Sequence, residues 1–208
     1  MNAKLITLVL ILNLFIVGCT HQAVVGSVSA TNVYSGFDSK ITGNTTYTVD
    51  DSSITKLIKN DTVSGFECSA HRYPIDATNA FNASVPSMLR AVFEVEPYRS
   101  SSPQKDAVHL VFSIERFEPR LKFIQKFFGA DAEANVEVSI NVTGSLNGKR
   151  VFGTSVDSQR NASGDAGDFC SSASDILADA ARHSIKDVLE KTGERLSNSQ
   201  SLRNLEHH

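Results

Sequence analysis

The sequence lacks tryptophan and has only 8% aromatic residues, so it shows no sign of an aromatic platform on which nucleic acid bases could stack. It also lacks an excess of basic residues, because its formal net charge is −3 with 21% charged residues. Nucleic-acid-binding domains carry a basic patch or stripe. We therefore expect no nucleic acid partner.

The N-terminal apolar run is too short to cross a bilayer, which takes about 20 apolar residues. This run covers 13 positions, 5–17, with Lys4 before it and Gly18-Cys19 after it. Such a layout is typical of a secretory signal, although no A-x-A-like cleavage site is present. The alternative is that the run is a signal anchor and that the cysteine follows it by chance.

The stretch Ile16-Val17-Gly18-Cys19 resembles the lipobox of bacterial lipoproteins. In that family the cysteine is lipidated and becomes the new N-terminus. The resemblance therefore implies that residues 1–18 are a signal peptide and that Cys19 carries the lipid. Thr20 follows, and in that family a residue other than aspartate here implies sorting to the outer membrane. The implied protein is lipid-anchored there, on either the periplasmic or the outer face.

Cysteine is scarce, with three residues in the whole chain. If Cys19 carries lipid, Cys68 and Cys170 remain. The oxidising compartment of an exported protein favours a disulfide between them. Such a bridge would close a loop of about 100 residues and contribute roughly 4 kcal/mol. Two buried free thiols are the alternative.

The rest of the chain has the length of one domain with a short tether. Residues 19–45 are small and polar without sustained periodicity, which predicts a tether or a loosely packed arm. Residues 46–198 form the predicted single domain. Residues 205–208, Leu-Glu-His-His, resemble the remnant of an expression tag.

Alternating apolar residues predict strands at residues 63–73, 107–117 and 134–146. After the last of these, Asn147-Gly148 predicts a type I′ hairpin and a returning strand, because both residues tolerate positive φ. The polar stretch at residues 161–168 is predicted to be a loop.

Two amphipathic helices are predicted from apolar residues at helical spacing. One runs from about residue 173 to 196, and the other carries a stripe made of Phe81, Val85, Met88, Leu89 and Val92. The expected fold class is α+β. We expect a two-layer sandwich in which two helices pack on one face of a mostly antiparallel sheet of about four to five strands.

No pattern of catalytic or metal-binding residues is present in the sequence. His71, His109 and His183 are isolated on separate elements, and no G-x-S-x-G nucleophile elbow occurs. We therefore predict no catalytic residue, no metal and no cofactor. A catalytic site needs residues that are close in space and not in sequence, so an envelope hydrolase remains an alternative function. A carrier of a small apolar ligand or lipid is another, and would need an apolar cavity of about 300 Å³ or more.

One basic and aromatic stretch, residues 120–128, stands out between two predicted strands. We interpret it as a short helix or loop that contacts a partner or an anionic membrane surface. The alternative is that the phenylalanines fold onto the core and the basic side chains are solvated. The residues expected to make the contact are Arg120, Lys122, Phe123, Lys126 and Phe127.

The same region carries a second resemblance, over about residues 63–196. An arginine before a glycine turn, then Phe128-Gly129-Ala130-x-Ala132, an alternating strand and Gly148-Lys149 at a hairpin are similar to YajG-type and other small α+β envelope lipoproteins. This resemblance implies a non-enzymatic envelope protein. The predicted function is that of a lipid-anchored binding, assembly or structural module, with the membrane and an envelope protein as partners.

Overall fold

The computed structural model describes residues 19–60, 63–64, 68 and 70–207. The predicted signal peptide therefore lies outside the described residues, and so do positions 65–67 and 69 of the strand predicted at 63–73. Within the described part of that stretch, only residues 63–64 form a strand.

The described residues form nine strands and four α-helices. The strands are β1 (Ala23–Val24), β2 (Thr45–Val49), β3 (Ile58–Lys59), β4 (Val63–Ser64), β5 (Ile75–Asp76), β6 (Tyr98–Arg99), β7 (Val108–Gln125), β8 (Ala130–Leu146) and β9 (Lys149–Asp165). The helices are α1 (Asp51–Ile54), α2 (Thr78–Val92), α3 (Ala173–Ser197) and α4 (Gln200–Arg203). Short 3-10 helices cover Thr55–Leu57, Asp168–Cys170 and Asn204–His207.

The main sheet has the order β6-β2-β7-β8-β9, with β4 also paired to β7. The long strands β7, β8 and β9 form an antiparallel meander, whereas β2, β4 and β6 join by parallel pairing. Parallel strands need a crossover connection, and α2 lies in the chain between β2 and β7. Three further strands form a small separate sheet, β1-β5-β3. The α+β class is thus confirmed, but the main sheet is mixed and has six strands.

The meander follows the predicted alternation and extends beyond it. In β8, Val136, Val138, Ile140 and Val142 are buried on the helix-covered face. The tip of the second hairpin has positive φ at Asn147 (50°) and Gly148 (80°), which confirms the prediction there. The loop predicted at residues 161–168 is wrong for residues 161–165, because β9 continues to Asp165 against the start of β8.

The two long helices of the described residues, α2 and α3, lie side by side. α3 packs on β8 and β9, and α2 packs against α3. The five predicted apolar residues of α2 are all buried, as expected. At Gly193 the helices approach closely, since a Cβ there would lie 3.1 Å from Met88 Cγ. Among the described residues, no helix combines the length and apolarity that a membrane span requires.

The arm at residues 19–45 lies along the domain. Ala23, Ala30 and Ile41 are buried in the core. The Ile41 N–H donates to the Val92 carbonyl at 3.0 Å, at the end of α2. Small side chains let this backbone approach the domain closely, so the described part of the arm packs more tightly than a free tether would.

Candidate functional site

The turn between β7 and β8 carries two phenylalanines at its tip. The Lys126 N–H donates a hydrogen bond to the Gly129 carbonyl (3.0 Å), so Phe127 and Phe128 are the two central residues. Their side chains are 93% and 85% exposed. Turn tips are usually Gly, Asn, Asp, Ser or Pro, as in the Asn-Gly turn at the other end of β8. Turn chemistry therefore does not account for these two rings.

A third exposed phenylalanine comes from another segment. Phe169, between β9 and α3, is 85% exposed and has φ 53°, in the left-handed region. That region costs an ordinary L residue of order 1–2 kcal/mol. The next residue, Cys170, also has positive φ (60°). The backbone is thus strained where it holds an apolar ring in solvent.

Two of these rings, those of Phe127 and Phe169, lie around one cleft of about 380 Å³. Its walls include Lys126 and Phe127 from the hairpin, and Phe169 and Cys170 from the segment before α3. The rings of Phe127 and Phe128 meet edge to face, with centroids 4.7 Å apart. We call Phe127, Phe128 and Phe169 the aromatic apex.

The disulfide that the sequence favoured forms one wall of this cleft. Cys68 and Cys170 are bonded, with their Cα atoms 6.0 Å apart. Behind it, the Tyr73 hydroxyl donates a hydrogen bond to the Cys170 carbonyl at 3.1 Å. The Tyr73 ring is buried next to Phe123 (centroids 5.7 Å apart), and burial raises the pKa of Tyr73 to about 12. The bridge and this tyrosine hold the segment before α3 against the sheet.

Cys19 lies at the same end of the molecule. It is an exposed free cysteine, and its carbonyl accepts a hydrogen bond from the Arg72 N–H at 3.0 Å. The chain runs from Arg72 through His71, whose N–H donates to the Cys68 carbonyl at 3.0 Å. His21 and His71 stack and share a hydrogen bond of 2.9 Å. Cys19 is therefore linked to the disulfide by a short series of contacts.

The predicted basic side chains each have an acidic neighbour. Arg120 pairs with Glu118 at 2.9 Å, and Lys126 pairs with Asp131. Lys122 lies opposite Glu133 in the adjacent strand. The hydrogen bond that the Lys126 ammonium donates to the Asp131 carboxylate raises the pKa of Lys126. These neighbours offset the positive charge that the sequence suggested, and the surface is distinguished by its exposed rings instead.

The structure separates the predicted contact residues. Residues 120–125 continue β7 rather than forming a helix or loop. Phe123 is only 7% exposed and faces the core, so its proposed contact role is wrong. Phe127 is exposed at the tip. The predicted stretch ended at Phe128 but did not name it as a contact residue, and Phe169 was not among the predicted residues. The Phe-Phe pair at a tight turn was a usable signal for the first, whereas nothing local pointed to the second.

A second surface feature is a groove between β9 and α3. It consists of successive clefts of about 600, 460 and 290 Å³. One wall is β9, which is an edge strand in the part of the chain that the structure describes. The other wall is the polar side of α3 and the residues after it, including Lys186, Lys191 and Arg195. The groove offers an extended segment both a strand edge and charged side chains.

Asp187 ties the two walls of this groove together. Its carboxylate accepts hydrogen bonds from Ser158 (2.6 Å) and Arg160 of β9 and pairs with Lys191 at 2.9 Å. Burial alone would raise the pKa of Asp187, but these hydrogen bonds outweigh it and lower that pKa. The walls are therefore fixed relative to each other by charge as well as by packing.

The described interior holds a buried histidine and a small apolar cavity. Within the described residues, no three His, Cys, Asp or Glu side chains converge as metal ligands would. The buried His109 bonds to the Thr46 hydroxyl at 2.8 Å, and burial lowers its pKa. A cavity lined by Phe93, Leu202 and Leu205 has only about 80 Å³, whereas small-ligand sites start near 300 Å³.

No protein-family model and no curated protein matches the sequence. Solved structures that are similar include a Xanthomonas campestris protein of the DUF330 family (10% identity, 91% of this chain, 98% of that one, TM-score 0.48). A candidate lipoprotein from Caulobacter crescentus is also similar (12% identity, 70% and 91% of the chains, TM-score 0.38). So is a minor lipoprotein from Acinetobacter baumannii (13%, 54% and 81%, TM-score 0.34).

Proposed function

We propose that this protein is a lipid-anchored bacterial envelope module that binds a neighbouring protein and is not a catalyst. The observation that carries the proposal is the position of Cys19, which is exposed yet bonded to the domain through Arg72. Acyl chains on this cysteine would hold the domain directly at the membrane surface. The lipobox resemblance and Thr20 support the outer membrane as its location.

The shape of the sheet supports a module that projects from the membrane. β8 has 17 residues, and at about 3.3 Å per residue it spans about 55 Å. Its first residue adjoins the hairpin tip near Cys19, and its last residue is at the opposite end. A protein anchored at Cys19 would thus present the whole length of β9 beside β8 to its surroundings.

The partner surface we propose is the groove between β9 and α3. Its occupant would be an extended segment of another envelope protein that pairs with the edge of β9, a known mode of peptide recognition. The basic side chain of Arg195 on the other wall would set its register. A small apolar ligand is less well supported, because the apolar cavity described above is too small for one.

The anchor is tested by the mass of the protein extracted from membranes. We expect a mature chain that begins at Cys19 and carries acyl groups. The Cys19→Ser variant should lose those groups and leave the membrane fraction after a carbonate wash. An unmodified Cys19 in membrane-derived protein would contradict the anchor, whatever the fractionation shows.

The partner surface is tested by a charge reversal in the groove. Arg195→Glu should abolish co-purification of a specific envelope protein from detergent extracts. The matched control is Lys105→Glu, an exposed lysine outside the groove, which should leave that protein bound. If both variants retain the same proteins as wild type at equal melting temperature, the groove is not the binding surface.

A further inference from the structure

We propose that the aromatic apex enters the interfacial layer of the bilayer to which Cys19 attaches the chain, so that the domain stands on the membrane in one orientation. This inference rests on the proposed lipid anchor. It adds a second membrane contact, made by the side chains of Phe127, Phe128 and Phe169. These apolar rings would insert among the lipid headgroups and the first acyl carbons.

The apex has the exposed apolar surface that such a contact requires. Its three rings are each at least 85% exposed. Phe127 and Phe169 come from two segments that line one cleft, and Phe128 contacts Phe127 edge to face. Removing apolar surface from water is favourable in proportion to the area removed. Rings that the fold leaves in water can therefore gain free energy by entering the membrane interface.

The positions of the anchor and the apex favour the bilayer over a protein as the occupant. The Cys19 carbonyl accepts a hydrogen bond from the Arg72 N–H. Four positions before Arg72 is Cys68, whose disulfide partner Cys170 is next to Phe169. Lipid attached at Cys19 therefore brings a membrane to this end of the molecule. The proposed protein-binding groove instead extends along the side of the sheet, away from the apex.

The charges around the apex also favour apolar insertion. Lys126 is paired with Asp131, and Arg120 with Glu118, so little free positive charge is left to attract anionic headgroups. The contact should therefore depend only weakly on salt and on the fraction of anionic lipid. The strained backbone at Phe169 is further support, because strain of this kind persists where the surrounding structure holds it and clusters at binding sites.

The absence of tryptophan allows a direct test. Phe127→Trp, Phe128→Trp and Phe169→Trp each introduce a single tryptophan into the mature chain, whose emission can be excited apart from that of the four tyrosines. With Cys19→Ser added to remove the lipid, vesicles of phosphatidylethanolamine and phosphatidylglycerol should shift the emission of all three reporters to the blue. The control is Tyr98→Trp, an exposed residue of β6 in register with the far end of β7, which should not shift.

Removing rings should weaken vesicle binding. We expect each Phe→Ser change at the apex to lower the affinity for vesicles about tenfold. The affinity of the unsubstituted apex should change little when the salt concentration is raised to 0.5 M. If none of the reporters shifts with vesicles, or if Tyr98→Trp shifts equally, the proposal is overturned. Reporters that respond to a purified envelope protein but not to vesicles would overturn it as well, in favour of a protein contact.

Failure of the anchor and failure of the apex are separable. The vesicle experiment uses unlipidated protein, so its result does not depend on whether Cys19 is acylated in the cell. In membrane-extracted, acylated protein reconstituted into vesicles, Phe128→Trp should emit as a buried fluorophore. A water-like emission there would refute insertion while leaving the lipid anchor intact.

Discussion

At the scale of single residues, Phe123 lies in the core and Phe127, four positions later in the chain, lies at the surface. Phe123 is buried beside Tyr73, so Phe123→Ala should lower the free energy of unfolding by about 3–5 kcal/mol. Phe127 is almost fully exposed, and Phe127→Ala should change it by less than about 0.5 kcal/mol. Urea unfolding of both variants checks this. Equal losses would mean that the ring of Phe127 packs in solution.

His109 gives stability a pH dependence. Because burial lowers its pKa in the folded state, the unfolded chain takes up a proton more readily. The contribution of His109 is therefore fully present above the unfolded pKa of about 6.5 and is lost as pH falls below it. We expect the urea midpoint to fall between pH 7.5 and 5.5 by more in wild type than in His109→Gln. Identical pH profiles of the two proteins would show that the pKa of His109 does not change on unfolding.

At the scale of elements, periodicity predicted the regular parts and missed the irregular ones. β8 alternates without interruption, and its strand assignment and the Asn147-Gly148 turn were confirmed. In β7, a bulge between Ile114 and Arg116 shifts the alternation by one residue, as bulges do. The strand therefore continues past the point where its pattern changes in the sequence.

Pro119 is a second feature that argued against a continuous strand β7 in the sequence. Proline is confined to strand edges and bulges, because it cannot donate to a neighbouring strand. In the described residues, β2 pairs with β7 only as far as Phe112, and β4 pairs from Leu121 onward. Pro119 falls between them, so the missing N–H interrupts no described pairing on that side. This arrangement is tertiary and could not be read from local sequence.

The aromatic apex was only partly predictable for the same reason. The basic and aromatic composition of residues 120–128 pointed to this hairpin, but it could not say which rings face the core. Phe169 is 41 positions beyond Phe128 in the chain. It reaches the apex only because β9 runs back along β8 and the disulfide holds the next residue. Proximity of this kind depends on the complete sheet.

At the scale of the whole molecule, one disulfide connects the proposed anchor to the body. Cys68 and Cys170 are separated by 102 positions. One side of the bridge leads to Arg72, which bonds Cys19, and the other leads to Phe169 and then α3. The bridge thus fixes the chain end that would carry the lipid relative to the apex and to α3. Losing it should affect stability and membrane orientation together.

We therefore predict that the Cys68→Ser, Cys170→Ser double variant loses roughly 4 kcal/mol of unfolding free energy, because a loop of this length is no longer closed in the unfolded chain. Hydrogen exchange should accelerate at residues 166–172 and 70–73, while the centre of β8 remains protected until global unfolding. Emission of Phe169→Trp in this background should respond less to vesicles than in the bridged protein. In periplasm-derived wild type, two cysteines that react stoichiometrically with a thiol reagent under denaturing, non-reducing conditions would show that the bridge does not form in the cell.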